Sequence, residues 1–320
     1  MEDLKIVILD AATLGSDISF RMFDRFGSVD VHQVTAQAEV GERVADADVV
    51  IVNKIRLNET NLSVAKQLKL ICVTATGYDN IDVDYCRNRG IGVCNVRGYS
   101  SESVAQTTAA MALSLVNNIA CFDRYVKNGS YTDSGTQNRV EPVFHEMSTM
   151  TWGVVGLGGI GKRTAEIAKT FGCRVLAFKR TPEPGYDCVD IDTLCRESDI
   201  ISVHLPLTDE TRCIINKERI AKMKKTAILI NVARGAVVDE TALAEAIING
   251  QIGGLGVDVY SSEPMSQDSP YQLIKGYDNV ILTPHMAWGA YESRVRCMEE
   301  IVKNIDAFYS GDNRNRIDLG

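Results

Sequence analysis

Three segments of the sequence place an arginine, acids and a histidine directly after apolar, strand-like runs. They are NVARG with Arg234, VDVYSSEP with Asp258 and Glu263, and LTPHMAW with His285. An arginine can bind a carboxylate through two parallel N–H bonds, and a histidine can both give and accept a proton near neutral pH. A carboxylate bonded to that histidine fixes its tautomer and favours its protonated form. Each residue alone has an ordinary structural explanation, but together they fit reduction of a 2-oxo acid.

A glycine-rich turn precedes these segments. TWGVVGLGGIG leads an apolar strand into a G-x-G-x-x-G motif, and a helical pattern follows. In this frame the first glycine permits a tight turn, the second lets a pyrophosphate approach the backbone, and the third lets the helix pack on the strand. The N-terminus of the helix offers N–H groups and a partial positive charge to phosphates. The expected dinucleotide contacts are Gly156, Gly158, Gly159, Ile160 and Gly161.

The end of the next strand bears on the type of nicotinamide nucleotide. Sites that take NAD usually carry an acidic residue there, which binds the ribose hydroxyls. Here CRVLAF is followed by Lys179 and Arg180. An acid would repel a 2′-phosphate, whereas two cations attract it. We therefore expect NADP to be preferred over NAD; the alternative is that both residues are solvated charges before the turn-forming TPEPG.

Short apolar runs rich in β-branched residues alternate with helical patterns along the chain. Continuous apolar strands separated by helices imply parallel sheets covered on both faces. The predicted strands are 5–10, 48–53, 68–75, 151–156, 174–179, 199–205, 227–233, 254–259 and 279–285. The sequence thus predicts an α/β protein with two doubly wound parallel-sheet domains, Rossmann-like or flavodoxin-like, and a cleft between them.

Two long helix candidates fall where one α/β block gives way to another. One runs from Ser101 to about Asn128, and the other from about Gly289 to Tyr309. We interpret both as crossings between domains. The prediction is a discontinuous substrate domain, 1–97 plus 288–320, and a dinucleotide-binding domain over 98–287.

The bulk composition restricts the partners. The 320 residues carry a net charge of -8, whereas a nucleic-acid partner normally requires a basic face. No apolar stretch approaches the ~20 residues of a membrane span, and the N-terminus has no signal pattern. The nine cysteines form no CxxC pair and are interpreted as free thiols in a reducing cytosol. We expect a cytoplasmic protein without a nucleic-acid, membrane or metal partner.

The segments that carry chemistry, taken in order, resemble the D-isomer-specific 2-hydroxyacid dehydrogenase family over essentially the whole chain. The matching motifs are VTATGYDNID, NVRGYSSESVAQ, GVVGLGGIG, HLPLTDET, INVARGAVVDE, GLGVDVYSSEP and TPHMAW. The resemblance implies hydride exchange between NAD(P) and a small 2-hydroxy or 2-oxo acid. It also implies that Arg234 binds the substrate, His285 is the acid/base and Glu263 is the partner of that histidine.

The resemblance implies further contacts. The backbone of Thr76, Gly77 and Tyr78 would bind the substrate carboxylate. Asp258 would lie near the nicotinamide carboxamide, and His204 would be structural. The remaining cofactor contacts would be Leu205, Pro206, Thr211, Val232 and Ala233.

Within the family, the strings ATGYDN, RGYSSESVAQ and HMAW are similar to the glycerate dehydrogenase, or hydroxypyruvate reductase, branch. This similarity implies hydroxypyruvate or glyoxylate as substrate and a homodimer. A D-lactate-type dehydrogenase and a non-catalytic, nucleotide-sensing corepressor are the alternatives. Trp288 either lines the pocket or belongs to the core, and Asn53–Lys54 either faces the substrate or lies at an exposed turn.

Overall fold

A computed structural model describes residues 3–319, which divide into two compact units. The first unit combines the chain up to Ser100 with the segment from Gly289 onward, and the second runs from Ser101 to Trp288. The assignment of a substrate to the first unit and of a dinucleotide to the second stays a prediction.

Within the described residues, the first unit is built around a parallel five-stranded sheet in the order β2-β1-β3-β4-β5. The strands are β1 (Leu4–Ile8), β2 (Gly27–Val31), β3 (Val49–Val52), β4 (Leu70–Val73) and β5 (Gly92–Cys94). The central strands β3 and β4 are buried along their whole length, so both faces of the sheet are covered.

The described part of the second unit contains a parallel seven-stranded sheet in the order β12-β11-β10-β9-β6-β7-β8. The strands are β6 (Thr151–Val155), β7 (Arg174–Phe178), β8 (Asp187–Cys188), β9 (Ile200–Val203), β10 (Ile228–Asn231), β11 (Gly254–Val257) and β12 (Val280–Leu282). Successive residues of β9 enter different cores: Ile200 packs with Trp152 on one face, and Ile201 packs with Leu229 on the other. The predicted α/β class with two doubly wound parallel sheets is therefore confirmed.

Helices connect the strands in both units. They are α1 (Val40–Val44), α2 (Glu59–Leu62), α3 (Val83–Asn88), α4 (Ser101–Val116), α5 (Ile119–Lys127), α6 (Ser130–Ser134), α7 (Gly159–Thr170), α8 (Ile191–Glu197), α9 (Lys217–Ile220), α10 (Glu240–Ile248) and α11 (Tyr291–Tyr309). Several begin at an Asp or Asn whose side chain accepts a backbone N–H, as Asp190 does from Thr193 and Asp239 does from Ala242. Such caps satisfy N–H groups that the first helical turn leaves unpaired. Short 3-10 turns cover Ala11–Leu14, Arg21–Phe26, Gln37–Glu39, Met147–Thr149, Gly235–Val237 and Pro270–Leu273.

The prediction of one continuous helix from Ser101 to Asn128 is wrong, because the segment forms two helices. The helix breaks after Val116, and Asn118 has a left-handed φ of 51°. Asparagine adopts this conformation more readily than most residues because its short polar side chain can bond locally. Two shorter helices, α4 and α5, result.

The strands that sequence reasoning missed have weak signals. β2 is an edge strand with mostly exposed side chains, β5 has three residues, and β8 has two. A short or exposed strand lacks the apolar run on which the prediction depends. Among the described residues, no helix combines the length and apolar character that crossing a membrane would require.

Candidate active site

The glycine-rich turn connects β6 to α7 in the second unit. Gly156 has a φ of 100°, a conformation that favours glycine. A Cβ on Gly161 would lie 2.0 Å from the carbonyl oxygen of Gly156, so the helix can approach the turn only if this residue is glycine. A Cβ on Gly158 would meet nothing within 4 Å. The backbone at Gly158 therefore faces open space, as the pyrophosphate of a dinucleotide would require.

The first turn of α7 lies beside this open space. Helix α7 begins at Gly159, and the side chain of Ile160 packs against the core on one face of the sheet. The first N–H groups of a helix have no partner inside the helix, and they carry a partial positive charge. The turn therefore fits the phosphates of NAD(P), which this N-terminus would hold.

The cations expected to select the coenzyme follow β7. Lys179 forms an ion pair with Glu183, and the same carboxylate also pairs with Lys162 of helix α7. Arg180 is almost fully exposed, and its guanidinium lies 3.8 Å from the carboxylate of Glu210. Sequence reasoning missed Lys162 and Glu183, because their meeting depends on the fold rather than on local spacing.

The loop after β9 carries other expected cofactor contacts. Leu205 packs against the core, and its side chain would lie 2.9 Å from a Cβ placed on Gly156. The hydroxyl of Thr211 donates to the carbonyl of Pro206 at 2.6 Å and so closes the turn that follows. These residues therefore border the glycine-rich turn or shape the loop beside it.

His204 directly follows β9 and has a fixed hydrogen-bonding environment. The indole N–H of Trp152 donates to the Ser202 hydroxyl at 2.9 Å, and that hydroxyl lies 3.0 Å from Nε2 of His204. Since the serine oxygen already accepts from Trp152, its own proton is available to His204 Nε2. Burial lowers the pKa of His204 to about 3. The ring is therefore neutral near pH 7 and is no source of protons there.

The other histidine of interest, His285, lies after β12. Its Nδ1 is 2.6 Å from Oε2 of Glu263, which follows the neighbouring strand β11. The side chains are 21% and 32% exposed, so both remain accessible. With Nδ1 directed at a carboxylate, Nε2 is the ring nitrogen that a substrate could approach.

Tyr260 links the two loops that carry this pair, and sequence reasoning missed it. Its N–H donates to Oε1 of Glu263 at 3.1 Å, and its hydroxyl donates to the carbonyl of Thr283 at 2.9 Å. Burial, with nearby carboxylates, raises the pKa of Tyr260 to about 12. The hydroxyl therefore stays protonated and keeps donating near neutral pH.

Asp258 fixes the loop that carries His285 through hydrogen bonds to residues on both sides of that histidine. Asp258 is 1% exposed. It accepts from the Thr283 hydroxyl at 2.6 Å, from Met286 N–H at 2.8 Å and from Ala287 N–H at 2.9 Å. These bonds surround His285, whose φ is 53°. The structure thus gives Asp258 a role in shaping the loop, and its expected contact with the nicotinamide carboxamide stays a prediction.

Arg234 follows β10, and the chain around it is closely packed. Asn231 donates through Nδ2 to the carbonyl of Arg234 at 3.0 Å, and Asn231 Oδ1 accepts from Ala233 N–H at 3.1 Å. A Cβ on Gly235 would lie 2.0 Å from the carbonyl carbon of Tyr260. The glycine therefore lets the segment after β11 pass directly over the residue that follows Arg234.

Two further residues named from the sequence, Val232 and Trp288, make mainly structural contacts in the second unit. Val232 is buried in the same core as Trp152. Trp288 packs against that core, and its indole N–H donates to the carbonyl of His285 at 3.1 Å. Because β10, β11 and β12 are parallel neighbours, Arg234, Glu263 and His285 all follow the same edge of one sheet.

In the first unit, the loop after β4 carries Thr76, Gly77 and Tyr78. Thr76 is exposed, and Tyr78 is 40% exposed. The loop is fixed at one end because Asn95 Nδ2 donates to the carbonyl of Thr76 at 2.7 Å. At the other end Asn80 Nδ2 donates to the carbonyl of Ile55 at 2.8 Å. An exposed loop with fixed ends suits binding of a small anion.

The segment Asn53–Lys54 of the first unit is anchored by a buried acid. Asp10 accepts from Asn53 N–H at 2.9 Å and from Lys54 N–H at 2.7 Å. Burial raises the pKa of Asp10, although these bonds oppose the rise. The side chain of Asn53 is buried and donates to the Thr13 hydroxyl at 2.9 Å. The backbone and the side chain of Asn53 are therefore both hydrogen-bonded to residues of the first unit.

Comparison with known proteins shows the family to which the chain is similar. The family model for the NAD-binding domain of D-isomer-specific 2-hydroxyacid dehydrogenases matches residues 109–287. A glycerate dehydrogenase from Methylorubrum extorquens is 34% identical over 315 residues, with 98% of this chain and 99% of that protein covered. A hydroxypyruvate reductase from Blautia hydrogenotrophica is 33% identical over 321 residues, with the same coverage.

Solved structures give the same result at the level of the fold. A D-lactate dehydrogenase from Aquifex aeolicus, complexed with NAD and lactic acid, has a TM-score of 0.84 and 33% identity over 98% of this chain and 99% of that one. An acyclic imino acid reductase, in complex with NADPH and D-Arg, has a TM-score of 0.87 and 29% identity over 98% of this chain and 100% of that one.

The doubly wound second unit, the open glycine-rich turn and the family match define an NAD(P)-dependent oxidoreductase. The chain belongs to the D-isomer-specific 2-hydroxyacid dehydrogenase family, so its substrate is a small 2-hydroxy or 2-oxo acid. Among residues 3–319, no group of three or more His, Cys, Asp or Glu is placed to hold a metal ion.

Proposed function

We propose that this enzyme reduces hydroxypyruvate or glyoxylate, with glycerate or glycolate formed, and that it prefers NADPH. The substrate proposal is supported by the names of relatives that align over nearly their whole length, a glycerate dehydrogenase and a hydroxypyruvate reductase. The observation that carries the chemistry is the 2.6 Å contact between His285 Nδ1 and the carboxylate of Glu263.

In this proposal His285 is the acid/base. Glu263 holds Nδ1, which leaves Nε2 as the ring nitrogen that can face the substrate oxygen. The other histidine after a strand of the same sheet, His204, is neutral near pH 7 because burial lowers its pKa to about 3. Only His285 of these two therefore matches the requirement for a proton donor.

Arg234 is the proposed ligand of the substrate carboxylate and carbonyl. Its planar guanidinium can bind a carboxylate through parallel N–H bonds and can stabilise negative charge on the carbonyl oxygen. NAD(P) supplies or accepts the hydride when it is bound. In the reducing direction His285 Nε2–H gives its proton to the substrate oxygen, and in the oxidising direction the neutral ring takes that proton back.

For the first unit, we propose substrate binding by the loop of Thr76, Gly77 and Tyr78 through backbone N–H groups. Support comes from the fixed ends of this exposed loop, through Asn95 and Asn80. The second unit would then bind the dinucleotide, at the glycine-rich turn. This division is the same as that expected from the sequence.

The preference for NADPH rests on Lys179 and Arg180. Both stand where NAD-preferring sites carry an acid, and a 2′-phosphate would gain from their charge. The similar structure of the acyclic imino acid reductase contains NADPH, which is compatible with this preference. The similar structure of the D-lactate dehydrogenase contains NAD, which is compatible with the opposite preference. A direct comparison of kcat/KM with NADPH and with NADH therefore tests the preference.

A homodimer and a cytoplasmic location complete the proposal. The dimer is supported by exposed apolar side chains along one segment of the second unit, which a second copy of the chain would cover: Ile119, Val126, Val140, Val143 and Phe144. The location is supported by the nine cysteines, all within the described residues and all free thiols. Sedimentation should give twice the mass of one chain; a monomer at micromolar concentration would contradict the dimer.

The test of the substrate is a kinetic panel. Hydroxypyruvate, glyoxylate, pyruvate and a branched 2-oxo acid are each assayed with NADH and NADPH by absorbance. We expect the highest kcat/KM for hydroxypyruvate or glyoxylate with NADPH. A maximum with pyruvate would favour a D-lactate-type enzyme. Tight nucleotide binding with no turnover of any acid would favour a nucleotide-sensing role and overturn the proposal.

A further inference from the structure

Two lysines and one glutamate form a charged cluster at the adenosine end of the expected dinucleotide site. Lys162 lies in the first turn of α7, Lys179 follows β7, and Glu183 lies in the loop after Lys179. One carboxylate oxygen of Glu183 accepts from Lys162 Nζ, and the other accepts from Lys179 Nζ. We name these residues the Lys162–Glu183–Lys179 cluster. Its carboxylate bridges the helix α7 and the segment after β7, the two elements expected to contact the coenzyme.

The cluster is charged and accessible. Hydrogen bonds from Lys162 and then Lys179 lower the pKa of Glu183, and the bond to Glu183 raises the pKa of Lys162. Glu183 and Lys162 are therefore ionised near pH 7, and in the cluster two lysine side chains face a single carboxylate. Their side chains are between 23% and 40% exposed. Exposed ion pairs are weak, so the carboxylate can leave its partners at little cost.

The position of the cluster matches the part of the coenzyme that distinguishes NADP from NAD. In doubly wound dinucleotide sites the pyrophosphate lies at the helix N-terminus, and the ribose 2′ position lies at the end of the next strand. Lys162 and Lys179 belong to these two elements. A phosphate carries up to two negative charges and three acceptor oxygens, so it can bind both ammonium groups that Glu183 now bridges.

We propose that Glu183 occupies the place of the coenzyme 2′-phosphate, and that NADPH binds by displacing this carboxylate from Lys162 and Lys179. The inference rests on the proposed use of NADP and adds Lys162 and Glu183 as determinants of coenzyme choice. NADH has no 2′-phosphate and leaves the cluster intact. Glu183 therefore weakens binding of NADPH without affecting NADH, and it limits the preference that the lysines create.

The test measures binding without turnover. Adenosine 2′,5′-bisphosphate and adenosine 5′-monophosphate are titrated calorimetrically into the full-length protein and its variants. In Glu183→Gln, which keeps the size of the side chain, we expect the bisphosphate to bind about tenfold more tightly because the competing charge is gone. The monophosphate should change by less than about twofold. In Lys162→Met the bisphosphate should bind about tenfold more weakly.

The matched control is Glu166→Gln. Glu166 lies on the same helix as Lys162 and pairs with Arg163 rather than with the cluster. It makes the same change in net charge, so both nucleotides should bind as in the wild type. If the affinity for the bisphosphate rose equally in Glu166→Gln and Glu183→Gln, the cause would be the change in net charge rather than the position of Glu183. That result would overturn the inference.

Two other results would also overturn it. Unchanged affinity for the bisphosphate in Glu183→Gln would mean that the carboxylate does not compete for the 2′-phosphate place. Weaker binding of the monophosphate in that variant would mean that Glu183 binds the ribose itself.

The proposed NADP preference is tested separately, by the ratio of the wild-type affinity for the bisphosphate to that for the monophosphate. A wild type that favours the monophosphate, together with a gain for the bisphosphate in Glu183→Gln, would reject the preference and retain the inference.

Discussion

The loop of His285 and the Lys162–Glu183–Lys179 cluster are held in opposite ways. Buried Asp258 fixes the loop through bonds to Thr283, Met286 and Ala287. The cluster consists of accessible side-chain ion pairs between separate elements. Breaking a buried hydrogen-bonded network is costly, whereas an exposed ion pair contributes little. The comparison teaches that the fold fixes the groups proposed for chemistry and leaves the groups proposed for coenzyme choice free to rearrange.

Among the variants that leave His285 and Glu263 in place, the largest effect is expected from Asp258→Asn. The new amide would keep one acceptor oxygen but would turn its NH2 group against either Met286 N–H or Ala287 N–H, and an unsatisfied buried group costs about 1–3 kcal/mol. We expect the loop of His285 to lose its geometry and kcat to fall by about 10- to 100-fold. Steady-state kinetics and thermal unfolding measure the two effects.

The control for Asp258→Asn is Asp199→Asn. Asp199 accepts from Thr151 N–H at 2.9 Å and from Lys224 at 2.8 Å, and it precedes β9 at the opposite edge of the sheet. It should lower Tm with kcat unchanged. Equal losses of kcat in both variants would mean that Asp258 only stabilises the fold, and the contrast between the two regions would fail.

A smaller effect is expected from Lys179→Asp. The variant places an acid where NAD-preferring sites carry one and adds repulsion against a 2′-phosphate. We expect the ratio of kcat/KM for NADPH to that for NADH to fall by about tenfold. Lys275→Asp makes the same charge change beyond the turn Pro270–Leu273 and should leave the ratio unchanged. An unmoved ratio in Lys179→Asp would reject our interpretation of this strand end.

The fold was largely predictable from the sequence, and the reasons are local. Buried parallel strands give continuous apolar runs, so β3, β4 and β9 were found from their residues alone. The edge strand β2 lacks such a run because most of its side chains face solvent. The break at Asn118 was missed because an Ala- and Leu-rich pattern continues up to it.

For the candidate site, the sequence indicated which residues follow the strand ends, and their catalytic roles stay predictions. The bonds of Tyr260 and Asp258 could not be predicted, because each depends on how two loops meet after folding. The same holds for Lys179, which local sequence presents as a cation and which the fold pairs with Glu183. Spacing along the chain gives positions, whereas hydrogen-bond partners require tertiary structure.

The smallest effect is expected from Tyr260→Phe. The variant removes one hydrogen bond to the carbonyl of Thr283 and leaves the ring, so we expect about 0.5–1.5 kcal/mol less stability and a change in kcat below about threefold. Denaturant unfolding provides the measurement.

The control for Tyr260→Phe is Tyr271→Phe in the adjacent ring. The rings of Tyr260 and Tyr271 lie 6.2 Å apart. Among the described residues, the buried hydroxyl of Tyr271 has no hydrogen-bond partner, so its removal should cost nothing. Greater destabilisation in Tyr271→Phe than in Tyr260→Phe would contradict the assignment of these contacts.

The central claim is that His285, held by Glu263, moves the proton, and single-turnover reduction in His285→Ala tests it most directly. The wild type, His285→Ala and the control His32→Ala, whose ring lies 3.1 Å from Asp30 in the first unit, are mixed with hydroxypyruvate after NADPH binding has been measured for each. We predict a rate ~10²- to 10⁴-fold lower in His285→Ala alone, with coenzyme affinity unchanged in all three. A wild-type rate in His285→Ala would contradict the account.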